Sequence, residues 1–577
     1  MKKSILATGL LVGLLTACSS GGGGERNTLT TVTFGDWSSF DPAYCYDSAC
    51  GEVLQNTLDT LFFYDGDSPR DLVPQLAAEL PTVENGGISE DGRVYRVRLR
   101  EGAKFSDGSP ITPEDVEYSL ERMMVYSTDV GPAGLLLEPL LGSAAPVRAD
   151  GEVGYEAIDK AIEVEGDTVV FTLAKPFAPF LEVLAGYWGS IYSKSAAVEA
   201  GDWSGTANDW EEFNNLEQAE SKLNGGPLGS GPFTIERYDV GTSVILQRNN
   251  NYYKEPAQLE RVIILSVNEE GTRIQQLQAG DADMASPNAI TPSQLPTVRK
   301  IEGVTVEQRP SLSLTAFLMN WNIDGSGTGY LGSGRLDGRG IPANFFSDEN
   351  VRRGIAYAFD YDAYVNDVLQ GNGRQQNTIL LEGLPGADES QRYSQDLDRA
   401  REAFQAAWNG EVWENGFTLP VFFNSGNTSR QRGLEILKQN LESLNPKFRV
   451  EVRELQFSQI LSQGAAGKMT LWFAGWGADF ADPHSFAQPF YESHGTYAQN
   501  IRYSDPAMDR LISEAIASTN QDRRVELYRQ IATRGFEEVV MVPLTQSLNT
   551  YVTRDNVQGR VMNPMFAGDY FYPISKQ

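Results

Sequence analysis

The sequence predicts an α/β protein built from more than one packed lobe, and two observations carry that expectation. First, removing 17 N-terminal residues leaves 560 of the 577, more chain than one ordinary hydrophobic core organises. Second, between Asn344 and Leu544 helical and extended patterns alternate, at 351–359, 417–423, 434–444, 448–453 and 469–474, as expected of an α/β lobe. Thr112-Pro113-Glu114-Asp115 reads as a capping box with Pro at the first helical position, followed at helical spacing by Val116, Leu120 and Met123. Thr272 is read as the cap of a second helix, with Ile274 and Leu277 on one face and Gly280 as its stop. The earlier half is more irregular, with short strands at 94–99 and 169–173, so a single parallel sheet does not account for it.

The N-terminus reads as an export signal. Lys2 and Lys3 precede an apolar run over 5–15, which falls short of the roughly 20 residues needed to span a bilayer. Leu15-Thr16-Ala17-Cys18 is similar to a bacterial lipobox, whose cysteine is acylated and becomes the first residue. An ordinary secretory signal with an incidental cysteine is the competing reading. Residues 19–24 are Gly- and Ser-rich, as suits a tether between acyl chains and a globular body.

Charge and cysteine usage narrow the classes further. With 47 basic and 77 acidic residues the net charge is -30, which argues against a nucleic-acid partner or a polybasic membrane patch. Beyond Cys18 only Cys45 and Cys50 remain. An exported compartment permits a disulfide, so one small bridged loop is expected, against the alternative of two free thiols.

No catalytic or cofactor motif stands out. His484 and His494, the two histidines, fit neither a zinc helix nor a finger spacing. Gly201-Asp202-Trp203-Ser204-Gly205 places its serine one position late for a nucleophile elbow. Gly371-Asn372-Gly373 and the Gly-rich run at 325–329 lack the third glycine of a dinucleotide fingerprint, and Gly467-Lys468 lacks the rest of a P-loop. Acidic pairs such as Glu236 with Asp239, or Glu269 with Glu270, read as solvated surface in so acidic a chain. No enzyme activity, cofactor or metal is expected.

Six segments in order carry a resemblance: Phe40-Asp41-Pro42; Phe105-Ser106-Asp107-Gly108 leading into Ile111-Thr112-Pro113-Glu114-Asp115-Val116; Gly229-Ser230-Gly231-Pro232-Phe233; Arg248-Asn249-Asn250-Asn251-Tyr252-Tyr253; Leu277-Gln278-Ala279-Gly280-Asp281-Ala282-Asp283; and Asn350-Val351-Arg352-Arg353-Gly354-Ile355-Ala356-Tyr357-Ala358-Phe359-Asp360. Together they resemble the family 5 extracellular solute-binding proteins, the oligopeptide-, dipeptide- and nickel-binding components of ABC transporters. The resemblance implies a two-lobe periplasmic-binding-protein-like (type II) fold with a hinge and an extra subdomain inserted in the N-terminal lobe. It places lobe one at roughly 26–65, 225–310 and 544–577, the insertion at 66–224 and lobe two at 311–543.

Gly475-Trp476-Gly477-Ala478-Asp479-Phe480-Ala481-Asp482-Pro483, after the apolar strand at 469–473, looks like the cleft motif of the peptide binders. The resemblance implies that Asp479 pairs with the α-ammonium of a bound peptide, while main-chain pairing adds affinity without reading side chains. The competing reading makes Asp479 a turn cap; Asp482 is assigned to the turn. Trp476 is a candidate to stack on ligand, with a core role as its alternative. Asn320, at the end of a strand over 314–319, is a candidate to orient hinge or ligand backbone, or is structural. Asp47 and Ser48, between Cys45 and Cys50, match a segment that lines the cleft in peptide-binding relatives. Where some branches hold the ligand carboxylate with a basic residue, this chain has Phe473 and Asn424, so no carboxylate anchor is named.

The expectation is therefore a lipid-anchored, extracytoplasmic binding protein that delivers short peptides to a permease and ATPase complex. An oligosaccharide or nickel chelate as the solute, an extracytoplasmic peptidase or amidase, and a lipoprotein chaperone or sensory partner are the alternatives.

Overall fold

The computed structural model describes residues 27–128, 131–387 and 391–577; the signal segment, Cys18 and the tether lie outside them. The chain is organised around a mixed sheet of eleven strands. Taken across the sheet the order is Phe448–Leu455, Phe417–Asn424, Leu471–Gly477, Val304–Met319, Val542–Arg554, Met284–Ala285, Thr28–Thr33, Arg261–Ser266, Ser243–Arg248 and Phe233–Asp239, with Gly373–Gln375 pairing Val542–Arg554 to one side.

Two long strands join the halves of this sheet. Val304–Pro310 runs antiparallel to Leu548–Arg554 and Leu314–Phe317 to Val542–Gln546, with the register slipping between Pro310 and Leu314. Pro310 lacks an N–H to give to the ladder, so it belongs where pairing is interrupted. The two ends of the Val304–Met319 strand also belong to different cores. Val304 and Val306 pack on the cluster of Val32, Leu277, Ala285 and Val298, whereas Phe317 and Met319 lie within the cluster of Val351, Phe359, Leu434 and Phe473. The boundary expected at 543/544 falls inside the second strand, because Thr545 and Gln546 still pair with Thr315 and Leu314 and with Gln375 and Arg374.

Most elements read from sequence form, but the helix read at 434–444 starts six residues earlier, at Thr428, and the strand read at 314–319 starts ten residues earlier, at Val304. The Pro113–Tyr126 helix starts after Thr112, whose backbone N–H donates to the Asp115 carboxylate at 2.8 Å. The helix expected to start at Thr272 instead begins at Glu270 and ends at Gly280, whose φ of 83° suits a residue without Cβ. The Thr428–Leu444 helix is capped by Asn427, which accepts from Arg430 N at 3.0 Å. A separate three-stranded sheet of Val94–Arg98, Thr168–Thr172 and Ile162–Glu165 accounts for the irregular earlier half. That region is fastened by Arg122, fully buried between Asp41 at 2.7 Å and Asp202 at 2.8 Å. Among the described residues no helix is long and apolar enough to cross a membrane.

Candidate functional site

The strands Phe417–Asn424 and Leu471–Gly477 are parallel neighbours, with Val421 beside Leu471 and Phe422 beside Trp472. Their carboxyl ends therefore open on the same edge of the sheet, where α/β proteins commonly hold ligands. Asp479 follows the second strand by two residues and Arg430 sits in the first turn of the helix after the first.

The loop bearing Asp479 is held on several sides. Trp476 Nε1 donates to Ser485 O at 2.8 Å, and Ser485 Oγ accepts from Asp479 N at 3.0 Å. Asp482 accepts from His484 N at 2.9 Å and from Arg524 Nη2 at 2.8 Å. It is buried, so its part is larger than the turn assigned to it from sequence: a paired charge that fixes the loop to the Gln521–Glu537 helix. The loop's rigidity leaves Asp479 little freedom to lose on binding.

Asp479 faces a cavity of about 190 Å³ that Trp476, Phe480, Tyr46, Leu135, Glu138 and His484 help to line. Tyr46 Oη donates to Asp479 Oδ1 at 2.8 Å. Loss of hydration pushes the Asp479 carboxyl up to about 6, with the Tyr46 hydrogen bond acting in the opposite sense. No cation lies within ion-pair distance of Asp479 among the described residues. A carboxylate so placed gains from an incoming ammonium both charge neutralisation and a hydrogen bond. A larger cleft of about 750 Å³ lies near the same loop, but there Asp482 is already paired with Arg524.

The other residues singled out from sequence separate into those at the cavity and those away from it. Trp476 walls the cavity with its indole N–H already bonded, and it meets Tyr497 edge-on at 5.7 Å between ring centres. Cys45 and Cys50 are bridged, with their Cα atoms 5.8 Å apart. Asp47 and Ser48, expected at the cleft, are not among the residues around this cavity. Asp47 caps the Ser48–Thr57 helix, accepting from Ala49 N at 2.9 Å and Cys50 N at 3.0 Å. Tyr46, next to them in the bridged loop, makes the contact instead. Asn320 is also a structural residue: it is wholly buried, and its side chain donates to Gly467 O and Met469 O and accepts from Asn322 N.

Arg430 was not picked out from sequence. Its Nη1 donates to Asn424 Oδ1 at 2.9 Å, which brings a guanidinium to the very residue that stands where a basic side chain was missing. Gly475 makes room for it, since a Cβ there would lie 2.7 Å from Arg430 Nη2. Burial lowers the Arg430 pKa, and no carboxylate is within ion-pair distance among the described residues. The signal available beforehand was weak, because an arginine in a first helical turn reads as surface. Among the described residues no group of three or more His, Cys, Asp or Glu side chains is arranged to hold a metal ion.

Residues 71–498 match the family model described as bacterial extracellular solute-binding proteins, family 5 Middle. The chain belongs to this family. It is 27% identical over 540 residues, 92% of this chain and 90% of the relative, to the probable D,D-dipeptide-binding periplasmic protein DdpA of Escherichia coli K12. Among solved structures it is similar to the periplasmic binding protein DppA of Helicobacter pylori in complex with the peptide STSA, at TM-score 0.69 and 22% identity over 96% of this chain and 98% of that one. It is similar also to NikA of Brucella suis in complex with Fe(III)-EDTA, at TM-score 0.73 and 21% identity over 95% and 100% of the two chains. The architecture of this family 5 protein is accordingly the two-lobe type II α/β fold of the periplasmic binding proteins, with a further subdomain in the N-terminal lobe.

Proposed function

We propose that this chain is the extracytoplasmic capture component of an ABC importer, anchored through Cys18, and that it takes short peptides by their charged ends. The observation that carries the reading is Asp479: a desolvated carboxylate with no cation beside it, facing a cavity at the carboxyl edge of the sheet. It holds the peptide α-ammonium, and Arg430, in the first turn of the Thr428–Leu444 helix, is the counter-charge for the ligand's carboxylate. Peptide-binding relatives support the same ligand class.

The two long strands are the hinge. With their register slip at Pro310 and their ends in separate cores, they let one half of the sheet turn against the other while the pairing on each side persists. Ligand touching both halves favours the closed arrangement, since only that arrangement offers both sets of contacts. The permease then distinguishes loaded from empty protein by shape, and no chemical step on the ligand is required.

The test is native mass spectrometry of protein purified without its anchor, followed by denaturation and identification of what is released, with Asp479→Ala alongside. Peptides that co-purify with the wild type and are lost from the variant are the expected result. Peptides retained by both overturn the role of Asp479. A released sugar or metal chelate overturns the ligand class, and the NikA complex with Fe(III)-EDTA is the observation that keeps this second reading open.

A further inference from the structure

Two groups in the cavity beside Asp479 have no part in holding an α-ammonium. Glu138, on the Gly134–Leu141 helix, contributes to the lining, and no cation stands within ion-pair distance of it among the described residues. Burial, with Glu492 adding to it, pushes its carboxyl up to about 7, and Lys175, which favours the ionised form, offsets only part of that. His484 also lines the cavity. It is 3% exposed, and neither ring nitrogen has a hydrogen-bond partner, which is rare for a buried polar group and calls for an occupant to satisfy it. Burial pulls its pKa down to about 4, so the ring is neutral near pH 7 and keeps one nitrogen as an acceptor.

The lining is mixed: Leu135, Trp476 and Phe480 contribute apolar surface, and Ser485, Gln488 and Thr496 contribute polar groups, a combination that suits a side chain with a methylene stem and a polar tip. The volume of about 190 Å³ is ample for one side chain, since an engineered apolar void of about 150 Å³ already admits benzene. The acid composition selects the sign of that tip: with Asp479 occupied by one ammonium, Glu138 still has no cation within ion-pair distance among the described residues, Lys175 acting on it only from farther away.

Building on the peptide reading above, we infer that this cavity receives a cationic side chain on the ligand's first residue, its stem along Leu135 and Phe480, its charge at Glu138 and one of its donors at His484. The preferred ligands are peptides that begin with lysine or arginine, which bring two positive charges to one end.

Isothermal titration calorimetry of the protein at pH 7.5 with Lys-Ala-Ala-Ala and Leu-Ala-Ala-Ala, on wild type and Glu138→Gln, tests this. The expected result is that the lysine-first peptide binds the wild type about tenfold or more tightly than the leucine-first one. Glu138→Gln then erases the difference, chiefly by weakening the lysine-first peptide, and leaves the leucine-first affinity within about twofold. Equal affinities in the wild type, or a preference that survives in Glu138→Gln, overturn the inference while leaving the peptide reading in place. Failure of both peptides to bind the wild type overturns both. Thermal melts of the two proteins serve as the control, since a variant that is merely misfolded loses both peptides together.

Discussion

Tyr46 Oη and Asp479 Oδ1 are 2.8 Å apart, although one residue sits in the disulfide loop near the N-terminus and the other follows a strand more than 400 positions later in the chain. The contact brings the bridged loop against the cleft loop and gives the carboxylate a hydrogen bond that favours its ionised form. Tyr46→Phe removes that donor. The pH at which ligand affinity is half lost should move upward, by roughly one unit for about 1.4 kcal/mol of lost hydrogen bonding. Calorimetric titrations at several pH values measure the shift, and an unmoved midpoint would show that the contact does not tune Asp479.

If Asp479 holds the ligand's ammonium as proposed, binding should depend on pH in a stated direction. Its carboxyl titrates near 6, above its ordinary value, because burial disfavours the charge. The ammonium-binding form is present above that pH and is lost as pH falls through it. Affinity for a leucine-first peptide should drop by up to tenfold per unit below about pH 6. In Asp479→Asn the affinity at pH 7.5 should be weaker by about 1.5–3 kcal/mol, the usual contribution of a hydrogen bond to a charged group, and the acid limb should flatten. A variant with the same limb as wild type would assign the titration to another group.

Arg430 offers a second check on the charged-end reading. Arg430→Met keeps much of the stem that covers Phe473, whose ring centre is 5.5 Å from the guanidinium carbon, but removes the cation. Peptides with a free carboxyl terminus should lose affinity, while the same peptides amidated at the C-terminus should bind both proteins alike. Equal losses for free and amidated peptides would make Arg430 a packing residue.

Much of this arrangement was legible in the sequence and some was not, for identifiable reasons. The Phe417–Asn424 and Phe448–Leu455 strands were visible because apolar runs are bounded by polar turns, and the Pro113–Tyr126 helix because its cap is local. Asp479 was singled out because a single contiguous motif carries it. The capping part of Asp47 is local, an aspartate just before a helix, whereas Tyr46 meets Asp479 through a contact remote in sequence that no local pattern signals. Glu138 and Arg430 gave no warning, since what draws attention to each is burial with no ion-pair partner among the described residues, which only the folded chain creates.

Glu52 should make stability depend on pH. It is buried on the Ser48–Thr57 helix, accepts from Asp569 N at 2.8 Å, and has its carboxyl pushed up to about 8 by burial and by the Asp569 charge. The native state therefore holds a proton that the unfolded chain releases at its ordinary value near 4.5. This contribution to stability is complete below about 4.5 and is lost as pH rises through 8. Glu52→Gln keeps the acceptor and removes the titration. The fall in melting temperature between pH 5 and pH 8.5 should be smaller in the variant than in the wild type; an identical fall would assign the dependence elsewhere.

Arg122 is where removing one side chain should do the most damage. Its guanidinium meets Asp41 at 2.7 and 2.8 Å and Asp202 at 2.8 and 2.9 Å, with all three side chains inaccessible to solvent. Burial alone would push Asp41 up, yet the arginine more than offsets it and holds the carboxyl below its usual range. Arg122→Ala leaves two buried carboxylates without a cation, a change that typically costs about 3–5 kcal/mol. Because those carboxylates can escape by taking up protons, the loss should be smaller at pH 5 than at pH 7.5. Urea unfolding at the two pH values measures it, and a loss under about 1 kcal/mol at pH 7.5, within the range of ordinary exposed pairs, would show that the cluster is hydrated rather than closed.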